Sequence, residues 1–350
     1  MRAREGLFLC LFILFCILLS NVRVLGQQSV FSFLYWNASP EVAASGAAGV
    51  ADRTDAFALY YNPAAMIFVK NISIVLSRIT QNVADDNLKK INYFYEFIPA
   101  NTKNYIVYGA AVLKIPKLGH VGGSIHIKYY SKKYLIDNEY SIVQRSTEDM
   151  DYQLKFAYAK AISSNAALGI GLSYIKRSTL LLLFENGKLV KPEGSGLLFD
   201  FGVLYFDLFP FLTFGSVNEG RKGISLGLGI SNYGSQIRFK DGTDSPPPAL
   251  LRFGATYSFY QSKMLGVNFN VELNKRILDD PALSYLCFGS KVIFSEMVSV
   301  LIGRVINLKN GESSYNTFGF GFKFLWFSVN WARYKQGGGV VPHLGLSFNM

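Results

Sequence analysis

A two-residue alternation of apolar and polar side chains, recurring from about residue 71 to the C-terminus, constrains this chain more than any other feature. Ile224, Leu226, Leu228 and Ile230 alternate with Ser225, Gly227, Gly229 and Ser231. Leu265, Val267, Phe269, Val271 and Leu273 alternate with Gly266, Asn268, Asn270, Glu272 and Asn274. Near the C-terminus Phe318, Phe320, Phe322 and Phe324 alternate with Thr317, Gly319, Gly321 and Lys323. Successive side chains of a strand point to opposite faces, so each run is a strand with one greasy and one small or polar face. The runs are about 9–13 residues long, near the length of a tilted strand that crosses a bilayer.

A soluble sandwich also alternates. Here, however, the greasy faces are too many for one shared core, and only 17% of residues are charged, against about 25% in ordinary soluble domains. Mean hydropathy is +0.21, yet beyond the N-terminus no apolar run reaches the roughly 20 residues of a membrane helix. Lipid leaves no backbone group unpaired, so strands can span it only as a closed barrel. The expected fold is therefore all-β, a closed antiparallel transmembrane β-barrel.

Fourteen strands are expected, at 71–79, 104–114, 120–131, 151–161, 165–177, 197–207, 223–233, 249–260, 264–274, 282–293, 297–306, 315–324, 325–334 and 342–349. Long connections (80–103, 132–150, 178–196, 234–248) alternate with short ones (115–119, 162–164, 261–263, 294–296), as in outer-membrane barrels. The connection 208–222 is long on the short side, and the pattern supplies no reason. Ile91 to Phe97 also looks strand-like. Counting it would give fifteen strands and reverse every later connection, so it is read as part of an outer loop or a strand extension.

Residues 1–26 read as a secretory signal, with Arg2 and Arg4 before the apolar run Leu7 to Leu19 and cleavage expected near Gly26. Bulky Leu9 and Phe15 precede Cys10 and Cys16, which argues against lipidation. The formal charge of +11 becomes about +9 (32 minus 23) once Arg2, Arg4, Arg23 and Glu5 are removed. Cys287 then remains as a single cysteine between Leu286 and Phe288, so it forms no intramolecular disulfide and reads as a small strand hydrophobe. The domain reading is 1–26 signal peptide, 27–70 N-terminal hatch or plug, and 71–350 barrel.

Residues 38–66 differ in kind from the barrel: Ala-rich, without alternation, and holding Asp52, Arg53 and Asp55 close together. A lumen of about fourteen strands is too wide for wall side chains to fill. An inserted N-terminal segment would fill it, and the alternative is a tail left outside. Asn62 precedes Pro63, which biases it away from the helical region and marks a turn.

The run Gly46-Ala47-Ala48-Gly49-Val50-Ala51-Asp52, followed by Asp55-Ala56-Phe57-Ala58-Leu59-Tyr60-Tyr61-Asn62-Pro63-Ala64, resembles the N-terminal signature of the PorV/PorQ-like barrels, relatives of the FadL-type long-chain fatty-acid transporters. Asp200 to Tyr205, Gly223 to Gly227 leading to Ser231-Asn232-Tyr233-Gly234, and Pro246 to Pro248 followed by Leu251-Arg252-Phe253-Gly254 resemble later family segments in order. Where the family often has Asn-Leu-Gly, this chain carries Tyr233. The resemblance implies an outer-membrane barrel with an N-terminal hatch. It carries over Asp55, Tyr60, Tyr61, Asn62, Pro63 and Ala64 as hatch residues that either meet a ligand or simply turn and pack. It implies binding or passage of hydrophobic small molecules or, alternatively, a non-enzymatic role in type IX-like protein secretion with partner or cargo proteins.

No catalytic constellation stands out. His120, His126 and His343 are scattered, with His126 expected as a solvated lumen histidine, and no Cys/His metal spacing, nucleophile elbow or phosphate loop is present. The expectation is a protein that is not an enzyme and uses no cofactor or metal. Asp279 and Asp280 are expected to be solvated in an outer loop. The pairs Lys89-Lys90, Lys132-Lys133, Lys176-Arg177 and Lys275-Arg276 are expected near the outer surface, facing lipopolysaccharide phosphates or merely solvent. Tyr129, Tyr130, Trp326 and Trp331 fit an interfacial girdle or the lumen lining. The partners expected are outer-membrane lipid, hydrophobic small molecules or secretion proteins, and not nucleic acid.

Overall fold

A computed structural model of the chain describes residues 29–52, 55–82, 87–91, 94–98, 103–130, 133–136, 142–146, 150–178, 183–185, 188–190, 193–215, 221–240, 242–279, 284–308, 314–336 and 339–350. The signal segment, Asp280, and Arg53 within the Asp52–Asp55 cluster lie outside the described residues.

Fourteen antiparallel strands close into one barrel. They are β1 (Ile72–Asn82), β2 (Lys103–Ile115), β3 (Gly119–Tyr129), β4 (Met150–Ser163), β5 (Ala166–Ser178), β6 (Gly194–Leu208), β7 (Gly223–Gly234), β8 (Leu250–Gln261), β9 (Leu265–Arg276), β10 (Ser284–Phe294), β11 (Val298–Asn307), β12 (Tyr315–Phe324), β13 (Phe327–Gln336) and β14 (Gly339–Asn349). Every strand pairs with its sequence neighbour, and β1 closes the ring on β14 with Ser73 opposite Asn349 and Ile79 opposite His343. The wall therefore offers no unpaired edge. The strand-like run near Ile91 does not cross. Segments 87–91 and 94–98 join 133–136 and 142–146 in a separate four-stranded sheet.

The alternation sorts the faces. Phe318, Phe320, Phe322 and Phe324 of β12 are exposed on the outside, as are Leu168, Ile170 and Leu172 of β5. Thr317 of β12 and Ala167 and Ser173 of β5 are buried inside. Exposed apolar rows on strands with fully paired backbones are what a hydrocarbon solvent requires.

One strand junction departs from a plain ladder. The register of β6 on β7 shifts between Phe199 and Phe201, so that Asp200 sits beside both Ser231 and Asn232. Asn232 has φ of 57° there and donates its N–H to Asp200 Oδ1 at 2.7 Å. Asp200 points into the lumen on the ordinary alternation of β6, the bulge turns both Ser231 and Asn232 of β7 inward beside it, and Asp200 pairs with the buried Lys155 ammonium.

The barrel has two unlike ends. Tight connections such as 116–118, 164–165, 295–297 and 325–326 lie at the turn end, and the long excursions lie at the loop end. The connection after β6 lies at the turn end as well. Its described residues hold a short 3-10 turn at Pro210–Leu212. Phe214 then lies along β8, receiving Gln261 N–H at 2.8 Å and donating to Phe259 O at 2.9 Å.

Substituting Phe320 with Arg places a cation on the lipid-facing row and should lower stability in vesicles by about 2–4 kcal/mol. Denaturant titration of the reconstituted barrel measures it, with exposed Asn316 to Arg as the control that stays near the native value.

Candidate functional site

Residues 29–70 run through the lumen as an inner segment. It begins at the loop end, where Val30 N–H donates to Ser245 Oγ at 3.1 Å and Val30 O accepts from Arg177 at 3.1 Å. It leaves at the turn end, where Asn71 N–H meets Met350 O. Between lie a 3-10 turn (Ser32–Tyr35), α1 (Pro40–Ala44), α2 (Ala58–Tyr61) and a second 3-10 turn (Pro63–Phe68). Helices this short are marginal alone, and tertiary packing must hold them. Phe31, Val42, Val50, Leu59, Tyr61, Ala64 and Met66 are all buried.

The wall is shaped for this segment by what its inner face lacks. A Cβ on Gly202 would collide with Asn62 Oδ1, one on Gly169 with the Ala64 main chain, and one on Gly227 with the Val50 carbonyl. At these three positions only a bare backbone lets the segment approach so closely. Thr317 grips it from β12, accepting from Gly46 N at 3.0 Å and donating to Ala44 O at 2.6 Å. Ser73 of β1 accepts from Ala56 N at 2.9 Å.

The strongest anchor is Glu272 on β9. Its buried carboxylate accepts the N–H groups of both Gly49 and Val50 at 2.6 Å. Arg252 of β8 lies 3.8 Å away as counter-ion. The Arg252 guanidinium also stacks 5.1 Å above the Tyr60 ring and 5.7 Å from that of Tyr61. Both charge-assisted bonds fall on Oε2; Oε1 is buried without a hydrogen bond and faces the Arg252 cation, whose charge offsets part of the cost of burying the carboxylate. Two further ion pairs, Lys291 with Glu41 and Arg221 with Asp52, tie the segment to the turn end. Arg221 belongs to the connection after β6, so that long connection holds the inner segment as well as edging the wall.

The residues singled out in the sequence sit together in this segment. Asn62 is fully buried, with φ of −158° and ψ of 104°, as a residue before proline prefers. It caps the second 3-10 turn by accepting Ala64 N–H at 3.0 Å, and its amide donates to Val50 O at 2.9 Å and to Val203 O on the wall at 3.0 Å. Tyr60 donates to Leu34 O at 2.7 Å. Tyr61 OH accepts from Ser39 N at 3.1 Å. Burial pushes the Tyr60 hydroxyl up to about 12 against the opposing Arg252 charge, and pushes Tyr61 well above its usual value. Both stay neutral hydrogen-bonding groups. Pro63 and Ala64 lie against Gly169 and Gly202. Asp55 accepts Phe57 N–H at 3.1 Å, and burial raises its carboxyl to about 6.

Several side chains lie elsewhere than the sequence suggested. His126 faces the lumen but is buried, ringed by Phe33, Tyr60 and Tyr108 at 5.1, 5.9 and 5.4 Å between centroids. The inner segment removes the water it would have met. Asp279 is likewise fully buried, beside Arg276 at 3.7 Å, and not solvated. Arg276 also covers the Tyr35 ring at 4.0 Å. Arg177 turns inward to Asp151 at 2.7 Å, so neither arginine faces the outer surface. Cys287 packs with Ala47, Ala48 and Val305 as a small buried hydrophobe. The lumen's charged anchors Lys155, Arg252 and Glu272 were not anticipated. A charge on the small face of an alternating strand was the signal available.

Below the segment, a cavity of about 520 Å³ opens at the turn end, lined by Glu41, Lys70, Lys291, Ser299, Lys323 and Asn330 among others. Among the described residues no group of His, Cys, Asp and Glu could hold a metal ion.

The architecture is similar to solved structures. The toluene transporter TbuX of Ralstonia pickettii aligns at 12% identity with a TM-score of 0.60, covering 89% of this chain and 98% of that one. The toluene transporter TodX of Pseudomonas putida aligns at 12% identity and 0.57, covering 94% and 98%. A FadL homologue of Pseudomonas aeruginosa aligns at 11% and 0.54, covering 92% and 99%. At these identities the likeness concerns the fold. No family model matches the sequence, and no curated protein does.

Two outcomes are expected. Asn62→Ala strands the Val50 carbonyl and the Ala64 N–H and removes the tie to Val203 O on the wall, at a cost of about 1–3 kcal/mol for each group left unpaired, seen as a lower unfolding midpoint in detergent. Asp55 has a folded-state value raised above its unfolded one. Its neutral form therefore contributes stability that is complete below about 4 and lost as pH rises through about 6. Asp55→Asn keeps the acceptor for Phe57 N–H, so thermal scans at pH 4 and 8 should show a smaller pH dependence than native protein.

Proposed function

We propose that this protein is an outer-membrane barrel that binds or passes hydrophobic small molecules, with residues 27–70 as its hatch and residues 1–26 removed near Gly26 on export. The observation that carries this reading is a lipid-faced fourteen-strand cylinder whose lumen is occupied by its own chain. That fold is shared with proteins described as toluene transporters and as a FadL homologue. A conduit for apolar solutes needs a barrier against water and ions, and a buried, self-bonded segment supplies one. Asp55, Tyr60, Tyr61, Asn62, Pro63 and Ala64 are, on this reading, the part of the hatch that a solute meets, with Tyr60 in the aromatic cluster around His126. The work is binding and passage, without bond making or breaking.

One observation favours a second reading, a plugged barrel that binds partner proteins in a secretion system of the PorV type. The polar atoms of Tyr60, Tyr61 and Asn62 are all committed to the chain itself, so the lumen is sealed in this state. A lock on the hatch separates the two. Ala48 and Cys287 share one buried cluster, so Ala48→Cys puts a second thiol in that cluster, and loss of both free thiols on oxidation reports that the lock has closed. In asymmetric vesicles with a lipopolysaccharide outer leaflet, which retards lipophilic solutes, uptake of a probe such as toluene through the native barrel should exceed that of empty vesicles. It should fall severalfold in the oxidised Ala48→Cys protein and return on reduction. Native flux equal to empty vesicles sinks the transport reading, and flux indifferent to oxidation sinks the hatch.

A further inference from the structure

The turn end of this barrel exposes large apolar side chains among its polar ones, where Lys117, Ser164, Lys263, Ser295 and Glu296 are exposed as well. Leu118, Phe211, Met264, Leu325 and Trp326 sit in or beside the turns and are between 56% and 77% exposed. The connection after β6 adds Phe209 and Phe214, both exposed. That connection is fixed in place. Thr213 Oγ1 donates to Ser258 O at 2.7 Å, and Tyr257 OH donates to Leu212 O at 2.7 Å. The Phe214 ring meets Phe259 edge-on at 5.4 Å, and Phe259 lies 6.0 Å from Phe269. Phe259 and Phe269 are exposed outward-facing residues of β8 and β9. The phenylalanines of the connection thus extend the lipid-facing row without a break.

The outer limit of the apolar band is marked on β11 and β12 by exposed Arg304 and Asn316, which lie opposite each other, and on β13 by exposed Arg333, which lies opposite Phe318. From Asn316 to Phe324 is eight residue steps, roughly 26 Å along a strand rising about 3.3 Å per residue. At a tilt of about 40° this is roughly 20 Å along the barrel axis, less than the ~25 Å apolar band of such barrels. The band therefore runs past Phe324 and takes in the turn itself. Exposed Lys117, Lys160 and Lys263 stand among the apolar rim residues and suit the phosphates of an anionic leaflet.

The geometry points to the turn end as a lipid-embedded surface. The turns 116–118, 262–264 and 325–326 and the phenylalanines of the connection after β6 sit within the periplasmic leaflet, with Lys117, Lys160 and Lys263 at its phosphates. This inference rests on the outer-membrane reading above. It also gives the connection a double role, lipid contact through Phe209, Phe211 and Phe214 and a hold on the hatch through Arg221 and Asp52.

Collision accessibility of nitroxide labels tests it. Cys287 is buried, so protein lacking the signal segment and carrying Phe211→Cys or Trp326→Cys labels at one site. The barrel is reconstituted in vesicles of phosphatidylethanolamine and phosphatidylglycerol. Phe320→Cys serves as the mid-wall control and exposed Ser235→Cys as the aqueous one. The ratio of collision with oxygen to collision with a water-soluble nickel chelate should exceed unity at 211, 326 and 320, and fall below unity at 235. Ratios at or below unity at 211 and 326 with 320 still in lipid would overturn the embedded rim alone and leave it to water or a protein partner. A ratio at or below unity at 320 as well would overturn the membrane reading and this inference with it.

Discussion

Closure of the backbone hydrogen-bond ring is the constraint on which everything else in this molecule rests. Because β1 finds β14, each of the fourteen strands has two neighbours, and the wall can present Phe and Leu rows to hydrocarbon without one unpaired edge. Closure also creates an interior. Once the apolar side chains point outward, the inner face is left with glycine, serine, asparagine and a few charges, which cannot pack against one another across so wide a lumen. The inner segment and its main-chain contacts follow from that deficit.

The interior is held mainly by recognition of backbone. Glu272, Thr317 and Asn62 all bond main-chain groups across the boundary between segment and wall, and Gly169, Gly202 and Gly227 admit main chain at close range. Ion pairs are added where the segment reaches the turn end. Lys155 with Asp200 and Arg252 with Glu272 are buried opposite charges placed on adjoining or nearby strands. Such pairs are a weak source of stability, but breaking one leaves a bare charge in a closed space.

The barrel was legible in the sequence because a single physical signal, the two-residue period, fixes which face of every strand meets lipid. Fourteen strands could be counted, and their ends fell within a few residues of those observed. The strand-like run near Ile91 could be set aside because an odd count would invert the order of loops and turns. The interior was far less legible. His126, Asp279, Arg177 and Arg276 looked like solvated groups because a lumen or a loop suggests water. Whether water is present depends on what the inner segment displaces, and no local pattern records that. Pairings such as Glu272 with the Gly49 and Val50 amides join positions more than two hundred residues apart, and they use main chain on one side, so no side-chain motif announces them. The Asn62-Pro63 turn was readable because it is local. The connection after β6 was unreadable because its purpose lies in what its two faces touch.

The two ends of the inner segment leave the lumen at opposite mouths, with Val30 held among the loops and Asn71 joined to the C-terminal residue Met350 at the other end. The chain therefore threads its own cylinder once, from the loop mouth to the turn mouth, before its first strand begins, and the segment inside is tethered at both mouths.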